Sequence, residues 1–108
     1  MIGELVPALA QFLGAYFHQD WDLDDPDAKA VVHRYLTGES HSAVQQTINE
    51  IDRLLEMTSD DKQLRDILVY DLSCYYDPSF EEISNVEWLH WLQKSLKNGI
   101  EGEVPSSG

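Results

Sequence analysis

Basic residues are scarce in this chain: Lys and Arg number 7 against 20 Asp and Glu, a formal net charge of -13 at pH 7. Such a surface repels phosphate backbones and anionic membranes, so neither nucleic acid nor a membrane is expected as a direct partner. Cysteine is nearly missing, and the lone Cys74 cannot close an internal disulfide. No apolar run is long enough to cross a bilayer and no basic-then-apolar leader opens the chain, from which a cytoplasmic location is expected. G-x-S-x-G, a Gly-rich phosphate loop and H-E-x-x-H are also absent, which removes the motif-based grounds for several enzyme classes.

What is present is enough apolar residue to fold. At 108 residues and 43% hydrophobic content the chain can bury one core but not two. Leu5, Leu9, Phe12, Leu13, Tyr16 and Phe17 recur with helical spacing and form one stripe, with Pro7 in the first turn. Asp25-Pro26-Asp27 reads as the next helix start, with Asp25 as N-cap, and Gly38 as a left-handed stop. A third helix, capped by Ser40 or Ser42, carries Val44, Ile48, Ile51 and Leu55. Thr58 to Asp61 opens a fourth, expected to run to about Tyr76 with Leu64, Ile67, Leu68, Leu72 and Tyr75 inward.

Asp71 falls in the middle of that fourth stripe, so it is expected to be buried or half-buried and hydrogen-bonded to a tyrosine, histidine or arginine of another helix. Ser84-Asn85-Val86-Glu87 is a capping box flanked by the staple pair Ile83 and Trp88, and the helix it starts is expected to end before Gly99. These features predict an all-α fold, a compact bundle of about five helices over residues 1–99, with 100–108 as a flexible C-terminal tail.

The densest charge lies at Asp20, Asp22, Asp24, Asp25 and Asp27, set around Trp21. D-x-D-x-D resembles the start of an EF-hand loop, but Asp25 replaces the glycine needed at position six and Val31 the glutamate needed at position twelve. His18, His33, His41 and His90 have no ligand spacing among them, so no metal and no cofactor is expected. Cys74 lies close in sequence to Asp71 and Asp77, a poor setting for a thiolate nucleophile, and no catalytic residue is assigned. The alternative is a small divalent-metal-binding or enzymatic domain built on the Asp20–Asp27 loop. Protein binding explains the run better: carboxylates steer a basic partner and an aromatic anchor fixes it.

Three stretches carry a resemblance: Phe12 to Asp22 (FLGAYFHQDWD), Cys74 to Pro78 (CYYDP) and Glu87 to Leu92 (EWLHWL). In this order they resemble the small immunity proteins of contact-dependent growth inhibition systems, the CdiI group, with one departure at Ser73, where glycine is expected. The resemblance implies a bacterial cytoplasmic protein that binds and blocks the toxic C-terminal domain of its cognate effector, often a nuclease, without catalysis of its own. A nuclease needs a basic substrate groove, which an acidic inhibitor complements. The expected toxin-binding residues are Asp20, Asp22 and Asp24, with Glu81 and Glu82 as a second acidic patch. Trp21 is either their anchor or a core residue that pins the loop. The protein is expected to be a monomer before it meets the toxin.

Overall fold

The computed structural model describes residues 2–58 and 60–103; the side chains of Asp24, Ser79, Phe80 and residues 101–103 lie outside that description. It is an all-α single domain with no strand among the described residues. Among the described residues seven α-helices follow one another: α1 (Ile2–Leu5), α2 (Pro7–Tyr16), α3 (Trp21–Asp24), α4 (Ala28–Gly38), α5 (His41–Met57), α6 (Asp61–Asp66) and α7 (Asn85–Glu103). A π-helical turn, Ile67–Asp71, continues α6, and a 3-10 turn, Pro78–Glu81, precedes α7. α5 packs against α2 and α7, and α4 and α6 also lie on α7, so α5 and α7 form the middle of the domain.

The expected stripes supply the core. Leu9, Phe12, Leu13 and Phe17 are buried, as are Val31, Val32 and Tyr35 of α4, and Val44, Ile48 and Ile51 of α5. Leu5 is exposed, because α2 starts only at Pro7 and the inward place at its head is taken by Val6. Trp88, Leu89, Leu92 and Leu96 complete the core from α7.

Helix ends account for much of the acid content. The capping box forms as expected: Ser84 Oγ accepts from the Glu87 amide at 3.0 Å, and Glu87 Oε1 accepts from the Ser84 amide at 3.0 Å. Asp61, at the head of α6, adds to this cap by accepting from Asn85 Nδ2 at 2.9 Å and the Val86 amide at 3.0 Å. Burial pushes the Asp61 carboxyl up, but these hydrogen bonds outweigh it and hold it below its ordinary value. Ser40 caps α5 through the Ala43 amide, and Asp60 caps α6 through the Lys62 amide.

α2 has no cap of its own. Its N-cap residue is Val6, whose side chain offers no acceptor. Glu50 of α5, only 2% exposed, fills the role across the core: Oε1 accepts from the Leu9 amide at 2.8 Å, and Oε2 from Gln46 Nε2 at 2.9 Å. A carboxylate at a helix N-terminus meets free amides and the positive end of the dipole, which offsets the cost of its burial.

Several expectations are corrected. Asp71 is exposed, not buried. The turn from Ile67 closes at Leu72, whose amide donates to Ile67 O at 3.0 Å, so Leu72 stands above Ile67 where a regular α-turn would have put Asp71. The helix therefore ends at Asp71 and not near Tyr76; Ser73 turns left-handed with φ 57°, and the chain beyond it has no regular secondary structure, with Tyr75 57% exposed between buried Cys74 and Tyr76. A left-handed residue without glycine's freedom is strained by about 1 kcal/mol, which gives a physical reason why glycine would suit position 73.

The α4 cap is Asp27, accepting from the Ala30 amide at 2.9 Å, while Asp25 turns inward. The glycines do not act as left-handed stops either, since no described glycine has a positive φ. α7 runs through Gly99, where a Cβ would collide with the Leu36 side chain, so this glycine lets α4 approach α7. Residues 100–103, expected to belong to the tail, continue α7, with Ile100 packed against the core, and residues 104–108 lie outside the described residues.

Glu50→Ala is expected to strand the Leu9 amide and lower stability by about 2 kcal/mol, a fall in Tm of roughly 10 °C for a domain of this size. Thermal unfolding followed by circular dichroism measures it, and a Tm within a degree or two of the parent protein would contradict the capping role.

Candidate functional site

The acidic run is a structured turn. After α2 the chain passes through His18, whose Nδ1 accepts from the Asp20 amide at 3.0 Å, and coils into the single turn α3. Only one face of so short a helix can point inward, and Trp21 occupies it: half-buried, it packs on Phe17 at 5.8 Å and edge-on against Tyr76 at 5.5 Å between ring centroids. Successive residues differ by about 100° around a helix, so Asp20, Asp22 and Leu23 are turned outward, and Leu23 is 81% exposed. Asp24 closes the turn, its side chain outside the described set.

Two further members of the run are engaged by the fold. Asp25 is buried and binds Arg34, with Nη2 to Oδ2 at 2.8 Å and Nε to Oδ2 at 3.2 Å. The same guanidinium lies 4.8 Å from the centre of the Tyr16 ring, whose hydroxyl donates to Glu39 at 3.4 Å. Asp27 caps α4. The helical turn sets Asp20 and Asp22 apart around its axis instead of converging their oxygens as a calcium loop does. Among the described residues no group of three or more His, Cys, Asp or Glu side chains could hold a metal ion.

The second acidic patch lies close by. Glu81 ends the 3-10 turn, and Glu82, with φ 62°, follows it; both are exposed. Tyr76 stands between the two patches: its ring meets Trp21, and burial and then the neighbouring Glu81 carboxylate raise the pKa of its hydroxyl well above the ordinary phenol value. Asp20, Trp21, Asp22 and Glu81 thus border one aromatic cluster, which the sequence alone did not reveal. Next to Glu81 opens a groove of about 430 Å³ between the first turns of α4 and α7, lined by Asp27, Ala28, Lys29, Ile83, Glu87, Trp88 and Trp91 as well as Glu81.

Cys74 and Tyr75 connect this region to the core. The Cys74 amide donates to Leu68 O at 2.8 Å and the Tyr75 amide to Phe17 O at 2.8 Å, which ties the CYYDP stretch to the end of α2. Burial pushes the Cys74 thiol up to about 12, opposed only by its contact with Tyr76 O, so it is a core thiol without nucleophilic character at neutral pH. Exposed Tyr75, Tyr70 and Leu23 were not singled out from the sequence as surface aromatics or apolars, although the one-turn periodicity of α3 contained the signal for Leu23.

Exposed carboxylates, aromatic and apolar side chains at their edge, and a groove beside them occur together here, features that protein-recognition surfaces in general combine. The chain belongs to the CdiI immunity protein family, whose profile matches residues 5–96. It is also similar to a chain in the crystal structure of a CdiA-CT/CdiI complex from Y. kristensenii 33638, with 33% identity, a TM-score of 0.80, and coverage of 85% of this chain and 98% of that one. A comparison with curated proteins finds no match.

Cys74 is expected to stay unmodified by a thiol-specific disulfide reagent at pH 8 in the native protein and to react fully once denatured. Spectrophotometric titration of the thiol checks this; rapid modification of the folded protein would mean that the segment opens.

Proposed function

We propose that this protein binds and neutralises the toxic C-terminal domain of a contact-dependent growth inhibition effector, and that it does so in the cytoplasm, as a monomer before binding, by covering the toxin without catalysis of its own. The observation that carries this reading is the likeness to a chain of a CdiA-CT/CdiI complex over 85% of the sequence, alongside the family match. We further propose that the toxin is a basic nuclease. Its substrate groove would carry the positive charge that phosphate backbones demand, and a partner of net charge -13 is complementary to it.

The proposed contact surface comprises Asp20, Trp21, Asp22, Asp24, Glu81 and Glu82. The outward carboxylates steer the encounter, and the exposed edge of Trp21 adds an anchor whose inner face already rests on Phe17 and Tyr76. Charge gathered this densely does not stabilise the free domain, since like charges repel. Its benefit appears when a cationic surface meets it.

Co-expression with the toxin domain tests the reading: growth is rescued and the two proteins co-purify, whereas toxicity unrelieved by this protein would refute it. Replacing Asp20, Asp22 and Asp24 together by lysine is expected to slow association by roughly tenfold at low salt and to flatten its salt dependence. Stopped-flow or surface-plasmon measurements report both, and unchanged kinetics would place the interface elsewhere.

A further inference from the structure

The groove between the first turns of α4 and α7 combines a concave aromatic wall with a rim of excess negative charge. Trp88 and Trp91 lie one helical turn apart and both line it, with Ala28 and Ile83 adding apolar surface. Around them stand three carboxylates, Asp27, Glu81 and Glu87, against the single ammonium of Lys29. Two of the carboxylates are held in place by the fold: Asp27 Oδ1 accepts from the Ala30 amide and Glu87 Oε1 from the Ser84 amide, which leaves each a second oxygen to offer a ligand. Trp88 is buried, and its indole N–H finds no hydrogen-bond acceptor among the described residues. Trp91 is part-exposed and accessible to a ligand.

We infer that this groove receives an arginine side chain of the toxin domain, an inference that rests on the immunity reading above. Guanidinium matches each element of the groove. Its planar, weakly hydrated face stacks on an indole, and its edge donates in a fork to carboxylates on either side. A lysine ammonium is a compact and strongly hydrated point charge that would have to shed more water to reach the same wall. An uncharged apolar group would leave the acidic rim uncompensated, and an anion would be repelled by it. The volume of about 430 Å³ is of the size that ordinarily encloses a small ligand, ample for one such side chain with its flanking backbone. A basic nuclease surface has arginines to offer, and the groove would hold one of them beside the acidic turn that steers the approach.

Two measurements test this. The first uses acetyl-Gly-Arg-Gly-amide against the protein labelled with ¹⁵N, comparing it with the peptide in which citrulline replaces arginine. The Trp91 and Trp88 indole cross-peaks are expected to shift saturably at millimolar arginine peptide and to stay in place with citrulline, which keeps the shape but lacks the charge. No shift, or the same shift with both peptides, overturns the inference.

The second uses the toxin domain: Trp91→Ala and the exposed Glu81→Gln are each expected to weaken binding by about tenfold, the scale of an aromatic or charge-pair anchor. Retained circular dichroism shows that Trp91→Ala still folds, and Glu81→Gln removes no buried group. Toxin binding that is indifferent to Trp91→Ala overturns the groove, and indifference to Glu81→Gln as well removes Glu81 from the proposed contact surface. A wild-type protein that takes up the arginine peptide but not the toxin domain overturns the occupant and the immunity reading together.

Discussion

Phe17 is the residue at which the three signature stretches of this chain meet. Its ring touches Phe12 and Trp21 from its own stretch, Tyr76 from the second and Trp88 from the third, with centroids between 5.5 and 5.8 Å. Its carbonyl accepts the Tyr75 amide at 2.8 Å. Tilted and edge-on aromatic pairs contribute about 0.5–1.5 kcal/mol each beyond the area they bury, so the cluster fixes α2, the extended segment and α7 against one another. The acidic turn leaves the core immediately after Phe17, and Trp21 reaches back to the same cluster. The stretches that carry the resemblance therefore first build a core junction; the surface carboxylates are carried on it.

The charge of the chain divides in the same way. Glu50, Asp27, Asp60, Asp61 and Glu87 each accept from free amides at a helix start, and Asp25 takes the guanidinium of Arg34. Those acids stabilise the fold by satisfying groups that would otherwise be left without partners. Among the described residues Asp20, Asp22 and Glu82 cap no helix and lie exposed, as does Glu81, whose carboxylate neighbours the Tyr76 hydroxyl at the edge of the aromatic cluster. In the proposed function they provide the field that draws in a cationic partner, and the Trp88–Trp91 groove provides a place for one of its side chains.

Helical periodicity made the stripes of α2, α4, α5 and α7 legible, and the capping box located the start of α7 to the residue. Asp71 was misplaced because a regular 3.6-residue period was carried through a turn that widens at Ile67, and no residue type marks that widening. Glu50 was missed because its partner lies 41 positions away, yet a sign existed: α2 begins at Val6-Pro7 without a capping side chain, so an acceptor had to come from elsewhere. Asp25 was read as a cap because local preference ranks it equal to Asp27, and only the placement of Arg34 further along α4 itself separates the two. The acidic run stood out in the sequence, but its nearness to Glu81 and the groove beside it depend on tertiary packing around Tyr76.

If the core junction at Phe17 presents the acidic turn and the neighbouring groove to a toxin domain, amide hydrogen exchange of the protein alone and saturated with that domain will reveal it. Added protection is expected over residues 18–24 and 81–91, with the solvent face of α5 unchanged and the Tyr75 amide already slow to exchange in the free protein. Protection confined to α5, with the acidic turn exchanging as fast as before, would contradict it.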